Sequence, residues 1–128
     1  MSNSILTSVK KVLGIDASYE IFDQDIIMHI NSAFSVLQQL GLGPVSGFFI
    51  EDASAEWEDF TLGATGVNMV KSYICLKVRM LFDPPTTSFH IDAMKTQIQE
   101  YEWRLSTHRE WSLDPNDPLT EVVVDVDG

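Results

Sequence analysis

The chain has 128 residues, 19 acidic against 8 basic side chains, and a formal net charge of −11. This length predicts one domain that can bury its own core, and the negative charge argues against a surface that binds nucleic-acid phosphate. No apolar run is long enough for a transmembrane helix, and the first residues lack the pattern of a secretory signal. The single cysteine, Cys75, excludes an internal disulfide and a cysteine-cluster metal site, and it suits a reducing cytoplasm.

A short first helix is predicted over residues 4–13. Ser4 is placed to cap its N-terminus, and Gly14 suits the left-handed conformation that ends a helix. Lys10 and Lys11 fall in the last turn, where cations interact favourably with the helix dipole. The sequence therefore places both lysines at the C-terminal end of this helix.

The second predicted helix begins at Asp23 and ends at Gly41. Asp23 is a suitable N-cap, and Phe22 before it is spaced to contact Ile27 in a hydrophobic staple. Apolar side chains then recur at helical spacing along one face: Ile26, Ile27, Ile30, Ala33, Phe34, Leu37 and Leu40. One face of this helix should lie against the core.

The connection over residues 41–62 is long, rich in glycine at its start and acidic at its end. Such a connection usually carries a small element of its own. Two are compatible with the sequence: a short helix over 55–60 capped by Ser54, and an extended segment over 47–50. Its aromatic rings either recognise a partner or complete the core, and we favour the core: Phe48, Phe49, Trp57 and Phe60.

The third helix is predicted over residues 67–82 and ends before Pro84 and Pro85, which cannot continue it. It is apolar on most sides, so it should contact two different neighbours, with Lys77 between them. Its polar side chains form one stripe: Asn68, Lys71, Ser72, Cys75 and Arg79.

The fourth helix is predicted to start with Ser88 as its N-cap. Its apolar residues are spaced three and four apart, as in a seam between two helices: Ile91, Met94, Ile98, Tyr101 and Leu105. Trp103 falls outside this seam, and Trp111 lies beyond the end of the helix. Both rings are therefore candidates for a second contact surface.

The last 17 residues, 112–128, contain five acids, two prolines and no base. Within them, Val122, Val123 and Val124 form a run with strong β propensity. We interpret this segment as a mobile tail whose valines pair as a strand with a partner, the alternative being a disordered apolar patch. The chain is thus predicted to be mainly α: a small bundle of four main helices and a short loop helix (residues 1–111), with an extended, acidic, flexible C-terminal tail (112–128).

Motifs of catalysis are missing from the sequence: it has no phosphate-binding glycine loop, nucleophile elbow or zinc motif. Asp25 and His29 are spaced to share a metal, but two ligands are too few, and a solvated polar face is the favoured interpretation. Cys75 lies beside Lys71 and Arg79, which would activate a thiol, yet a cysteine in mid-helix usually only packs. We predict no catalytic residue, cofactor or metal.

The order of short packing motifs resembles the small head–tail connector proteins of long-tailed bacteriophages, also called adaptor or head-completion proteins. The resemblance covers residues 4–105. It rests on these segments: KKVLGI at 10–15, INSAF at 30–34, LG at 40–41, WEDF at 57–60, VKSYI at 70–74, LFDPP at 81–85 and IQEYEWRL at 98–105.

This resemblance implies a helical, non-enzymatic virion protein that is made in the host cytoplasm and acts at the head–tail interface. Its partners would be copies of itself in a ring, usually twelve-fold, the portal protein, and a tail-side stopper or completion protein. DNA would only pass through the channel, and no membrane is involved. We infer a portal-gripping arm at residues 111–126 from the tail itself.

Seven residues are candidates for subunit or portal contacts: Lys71, Arg79, Trp103, Trp111, Val122, Val123 and Val124. The alternative function is an acidic helical DNA mimic or regulatory binding protein, which the net charge also permits.

Overall fold

The computed structural model describes residues 3–44, 46–61 and 67–107, and these fold as helices joined by irregular connections. The helices are α1 (Ile5–Val12), α2 (Asp23–Gln39), α3 (Trp57–Thr61), α4 (Val67–Phe82) and α5 (Ser88–Thr107). The predicted mainly α fold class is confirmed, and the described ranges contain no β-strand beyond one isolated bridge between Ser4 and Glu56. The predicted tail lies outside the described residues.

Helix α4 is the centre of the bundle. It packs against α2 and α5 along its length and also contacts α1 and α3. Four of its side chains are completely buried: Val70, Tyr73, Ile74 and Val78. The prediction that this helix has more than one neighbour is confirmed, because an apolar surface on several sides must be covered on each of them.

The start of α1 is joined to the entrance of α3. Ser4 Oγ accepts the Thr7 N–H at 3.2 Å, which confirms the predicted cap. The Ile5 N–H donates to the Ala55 carbonyl at 3.0 Å, and the Trp57 N–H donates to the Asn3 carbonyl at 3.1 Å. These backbone hydrogen bonds form a short antiparallel bridge that joins the N-terminus of α1 to that of α3, about 50 residues later in the chain.

The predicted Asp23 cap of α2 is wrong, and the Phe22–Ile27 staple stays a prediction. Asp23 is the first helical residue, and the preceding Phe22 makes no capping hydrogen bond through its side chain. The carboxylate of Asp23 instead pairs with Lys10 Nζ at 2.8 Å. The Phe22 ring packs on Tyr19 and Phe82. A tertiary ion pair of Asp23 therefore takes the place of its predicted capping hydrogen bond.

The N-cap of α5 differs from the prediction by one residue. The Thr87 hydroxyl accepts the His90 N–H at 3.3 Å, and α5 begins at Ser88. The predicted seam is confirmed at four of its five residues: Ile98 and Leu105 are buried, and Met94 and Tyr101 pack against the core. Ile91 is only half-buried.

Most aromatic rings of the long connection belong to the core, as favoured from the sequence. Trp57 and Phe60 are buried, and the Phe48 ring lies 4.8 Å from that of Phe34. Phe49 differs, because it is 67% exposed.

Of the two local elements considered for this connection, the short helix occurs in part. Residues 47–50 form no strand, but the Asn31 side chain accepts the Ile50 N–H at 2.7 Å and donates to the Ile50 carbonyl at 3.0 Å. The short helix begins at Trp57 rather than at residue 55. Ser54 does not cap it, because its N–H and hydroxyl both bond to Asp52.

Candidate interaction surfaces

Lys10 is a buried cation in the last turn of α1. Its side chain is 2% exposed, and Nζ lies 2.8 Å from Asp23 Oδ1, 3.0 Å from the Ala17 carbonyl and 2.7 Å from the Tyr19 carbonyl. An ammonium group has three N–H donors, so these three acceptors satisfy it completely. Lys10 therefore ties the connection between α1 and α2 to both helices.

The connection that Lys10 holds presents an exposed apolar surface. The Phe22 ring lies 5.8 Å from Tyr19 and 5.5 Å from Phe82 at the end of α4, and the His29 ring lies 6.3 Å from Phe82. Ile21 is 72% exposed, and Tyr19 and Phe22 are also exposed. We call these five residues the Phe22 patch. Exposed rings that pack on one another form a surface suited to a protein partner.

Helix α5 carries a second exposed apolar surface. Phe89 is 75% exposed and Trp103 is 64% exposed. They are fourteen residues apart, so they project from nearly the same side of the helix, about 21 Å from each other. The structure thus places Trp103 outside the seam, as expected, and its role as a subunit or portal contact stays a prediction.

A polar cluster joins α4 to α5 on the inner side. The Tyr73 hydroxyl donates to Glu102 Oε2 at 2.8 Å, and Lys77 Nζ lies 3.6 Å from the same oxygen. Burial, then the hydrogen bond and charge of Glu102, raise the pKa of Tyr73 far above its ordinary value. This cluster fixes the register of the two helices, because a buried hydroxyl without an acceptor is unfavourable.

A shallow groove runs along the other side of the α4–α5 pair, and we call it the α4–α5 groove. Its middle section is lined by residues of α1, α4 and α5: Val12, Lys71, Cys75, Leu76, Arg79 and Tyr101. It continues past Arg79 toward the turn at residues 83–86 and His90. The structure therefore brings two predicted contact residues, Lys71 and Arg79, to one surface.

Cys75 at the middle of this groove is half-buried. Burial raises the pKa of its thiol to about 11, and the opposing effect of the Lys71 ammonium is smaller. The thiol is therefore protonated at neutral pH, which argues against a nucleophilic role.

Metal ligation gains no geometric support. Within the ranges that the structure describes, no three His, Cys, Asp or Glu side chains are grouped to hold a metal ion. His29, one of the two residues considered for a metal, packs edge-on against Phe82.

The remaining predicted contact residues, Trp111, Val122, Val123 and Val124, lie outside the described residues. Sequence reasoning missed the Phe22 patch and Phe89. Their signal was present: Tyr19, Ile21 and Phe22 are three large apolar residues in a short connection with no helical period, and Phe89 falls outside the α5 seam.

The chain matches the family model described as phage connector protein over residues 5–112, from the first residue of α1 to five residues beyond α5. The match covers most of the chain, so this protein belongs to the phage connector family. The predicted resemblance is confirmed, and membership implies a component of the phage particle. Neither curated proteins nor solved structures give a significant match. In the described part of the chain, no helix has the length and hydrophobicity needed to cross a membrane.

Proposed function

We propose that this protein is a structural, non-enzymatic head–tail connector that assembles as a ring, twelve-fold as is usual in the family, beneath the portal. The ring extends the DNA channel and presents a docking surface to a tail-side stopper or completion protein. The helical domain, residues 1–111, forms the ring wall, and the tail, residues 112–128, contacts the portal. The observation that carries the proposal is the family match over residues 5–112.

Two separate apolar surfaces support assembly into a ring. A ring of identical subunits places one patch of each copy against a different patch of the next. The Phe22 patch lies where α2 begins and α4 ends, and the Phe89–Trp103 face lies along α5. Exposed aromatic side chains of this kind are enriched in protein interfaces, and subunit contacts would bury them.

The distribution of acids supports a channel that does not retain DNA. An exposed acidic group surrounds the start of α3, and the same stretch contains no base: Glu51, Asp52, Glu56, Glu58 and Asp59. Carboxylates repel phosphate, so an acidic wall allows DNA to slide without binding it. Bases on the helices remain available for charge pairing between subunits.

The test combines the protein with the portal of its own phage and images the product by negative-stain electron microscopy, with mass photometry for stoichiometry. We expect rings, alone or on the portal. Trp103→Glu should prevent ring formation and leave the circular dichroism of the subunit unchanged. Ser35→Glu, which adds the same charge at an exposed position of α2, is the matched control and should assemble normally.

A subunit that stays monomeric with and without portal would contradict the proposal. If that monomer also competed with DNA for a basic protein, the result would favour the acidic DNA mimic, whose exposed carboxylates the structure also displays.

A further inference from the structure

The α4–α5 groove has a regular charge pattern along α4. Lys71, Cys75 and Arg79 follow one another at four-residue intervals, so their Cα atoms are about 6 Å apart along the helix axis. The pattern is cation, apolar group, cation. We call these three residues the α4 stripe.

Both cations of the α4 stripe lack a carboxylate partner in the described structure. Three other cations are paired there, Lys10 with Asp23, Lys77 with Glu102 and Arg104 with Glu100. Lys71 instead lies 5.8 Å above the Trp57 ring, and Arg79 is exposed. Lys11 and Lys95, both exposed, also make no ion pair among the described residues, but Lys71 and Arg79 lie together on one groove.

The surface around the stripe is mainly apolar. Val12, Leu76 and Tyr101 line the same middle section of the groove, and Val12 is 50% exposed. None of the described residues that line this section is a carboxylate. The chemistry that fits is an extended segment with an apolar side chain between two acids.

The C-terminal part of the chain contains such a segment, Glu121–Asp125, with the sequence EVVVD. In an extended strand, alternate side chains lie on one side, about 6.7 Å apart. Glu121, Val123 and Asp125 would then share a side, in the order acid, valine, acid. Their spacing matches the 6 Å interval of the α4 stripe closely, and their charges are complementary to it.

The chain is also long enough to bring this segment back to the groove. Tyr73 and Lys77 contact Glu102, whereas Arg79 lines the groove with Gln97, so α4 and α5 are antiparallel. Thr107 therefore lies at the end of α4 nearer to Lys71. Thirteen residues separate it from Glu121, and a flexible linker of this length has a mean end-to-end distance of about 20 Å.

We propose that the Glu121–Asp125 segment docks in extended form along the α4–α5 groove of its own chain. Because the chain leaves α5 near Lys71, the segment runs parallel to α4. The docked register pairs these residues: Glu121 with Lys71, Val123 with Cys75, and Asp125 with Arg79.

The covalent linker explains why the segment that fills the α4–α5 groove comes from the same chain. Two exposed ion pairs and a few valine contacts are weak on their own. A short flexible linker supplies an effective concentration in the millimolar range, about a thousandfold above a micromolar solution of a second copy. Docking depends on the groove and on the chain's own sequence, so it stands independently of the ring. If the portal binds the C-terminal tail, it must compete with the α4–α5 groove for Glu121–Asp125.

The reactivity of Cys75 toward a soluble disulfide reagent tests the docking, because the docked segment would cover this thiol. The full-length double variant Glu121→Lys/Asp125→Lys should react faster than wild type, on the order of tenfold. The matched control Asp114→Lys/Asp117→Lys makes the same change in net charge in the same tail and should react at the wild-type rate. Equal rates for the two double variants would overturn the proposal.

A charge exchange adds a second, independent measurement. Lys71→Glu/Arg79→Glu removes a cation that lowers the pKa of Cys75, so its reaction rate is compared only among variants that carry this change. Combined with Glu121→Lys/Asp125→Lys it should protect Cys75, whereas combined with Asp114→Lys/Asp117→Lys it should not. Circular dichroism verifies that each variant is folded. Failure of the four-residue exchange to restore protection in a folded protein would show that the segment does not pair with these cations.

Dilution then tests which chain supplies the segment. If the protection of Cys75 stays constant from micromolar to nanomolar protein concentration, the result supports docking within one chain. Protection that disappears on dilution would overturn the proposed occupant and assign the groove to the tail of a second copy.

Discussion

Lys10 and Lys71 are lysines on two helices of the same bundle, but their ammonium groups lie in opposite environments. Lys10 is almost completely buried and bonded to one carboxylate and two carbonyl oxygens. Lys71 borders an open groove and contacts only an aromatic ring among the described residues. A buried cation is retained only where its donors are satisfied, so Lys10 is structural. Lys71 instead remains available to an acidic partner, as the proposed docking of Glu121–Asp125 requires.

The largest effect is expected when the buried cation is removed. Lys10→Ala leaves the Asp23 carboxylate without its partner and deletes two bonds to the α1–α2 connection, so it should destabilise the protein by about 3 kcal/mol. Urea denaturation followed by circular dichroism measures the loss. The control is Lys11→Ala, the exposed neighbour, which should stay within about 0.5 kcal/mol of wild type. Equal losses for the two variants would show that burial of Lys10 contributes nothing.

The inner polar cluster should give an intermediate effect. Tyr73→Phe removes the hydroxyl that donates to Glu102 and should destabilise the protein by about 1 kcal/mol at neutral pH. The control Tyr19→Phe removes an exposed hydroxyl and should be nearly neutral. Thermal melts of both variants make the comparison.

The pH dependence of the same cluster sharpens this prediction. The pKa of Tyr73 is raised by folding, so its contribution is present below the unfolded pKa of about 10 and is lost as pH rises above that value. The stability of wild type should therefore fall more steeply above pH 10 than that of Tyr73→Phe. Parallel curves would mean that Tyr73 ionises as it does in the unfolded chain.

Removing the groove cations should have a small effect on stability. Lys71→Ala loses only the contact with Trp57, about 0.5 kcal/mol, and Arg79→Ala should lose less. Their effect should appear instead in the reactivity of Cys75, through loss of the docked segment. A loss from Lys71→Ala as large as that from Lys10→Ala would remove the distinction between a structural and a surface cation.

The smallest effect on stability is expected from Asp16, which lies in the connection between α1 and α2. The backbone N–H and hydroxyl of Ser18 lower the pKa of Asp16, so this carboxylate stabilises the fold above its unfolded pKa and loses that contribution as pH falls through the folded pKa. Asp16→Asn should slightly lower the melting temperature at pH 7 and change little at pH 3. Glu20→Gln controls for loss of one negative charge nearby.

Much of the helical framework was predictable because it depends on local signals. The apolar period and the Pro84–Pro85 break define α4 at its observed bounds, and Ser4 caps α1 as expected. The cap of α2 was less predictable, since the observed interaction of Asp23 is an ion pair with a residue of the preceding helix and depends on how the two helices pack.

The candidate surfaces were predictable only in part. Trp103 was recognised because a seam has a defined period and this ring lies outside it. The Phe22 patch was not, because whether a ring in a short connection is buried depends on which helix end faces it. Here Phe82 faces Phe22 and leaves it exposed at the edge of the bundle.

The sequence by itself determined which segments are helical, that the protein is acidic, and its resemblance to phage connector proteins. These properties follow from residue order and composition, since helical periods and caps act over a few residues. Only the tertiary structure decided that Lys10 is buried and that Lys71 and Arg79 border a groove. Burial depends on how distant helices pack, and the sequence pattern of α1 is the same whether Lys10 faces solvent or the Asp23 carboxylate.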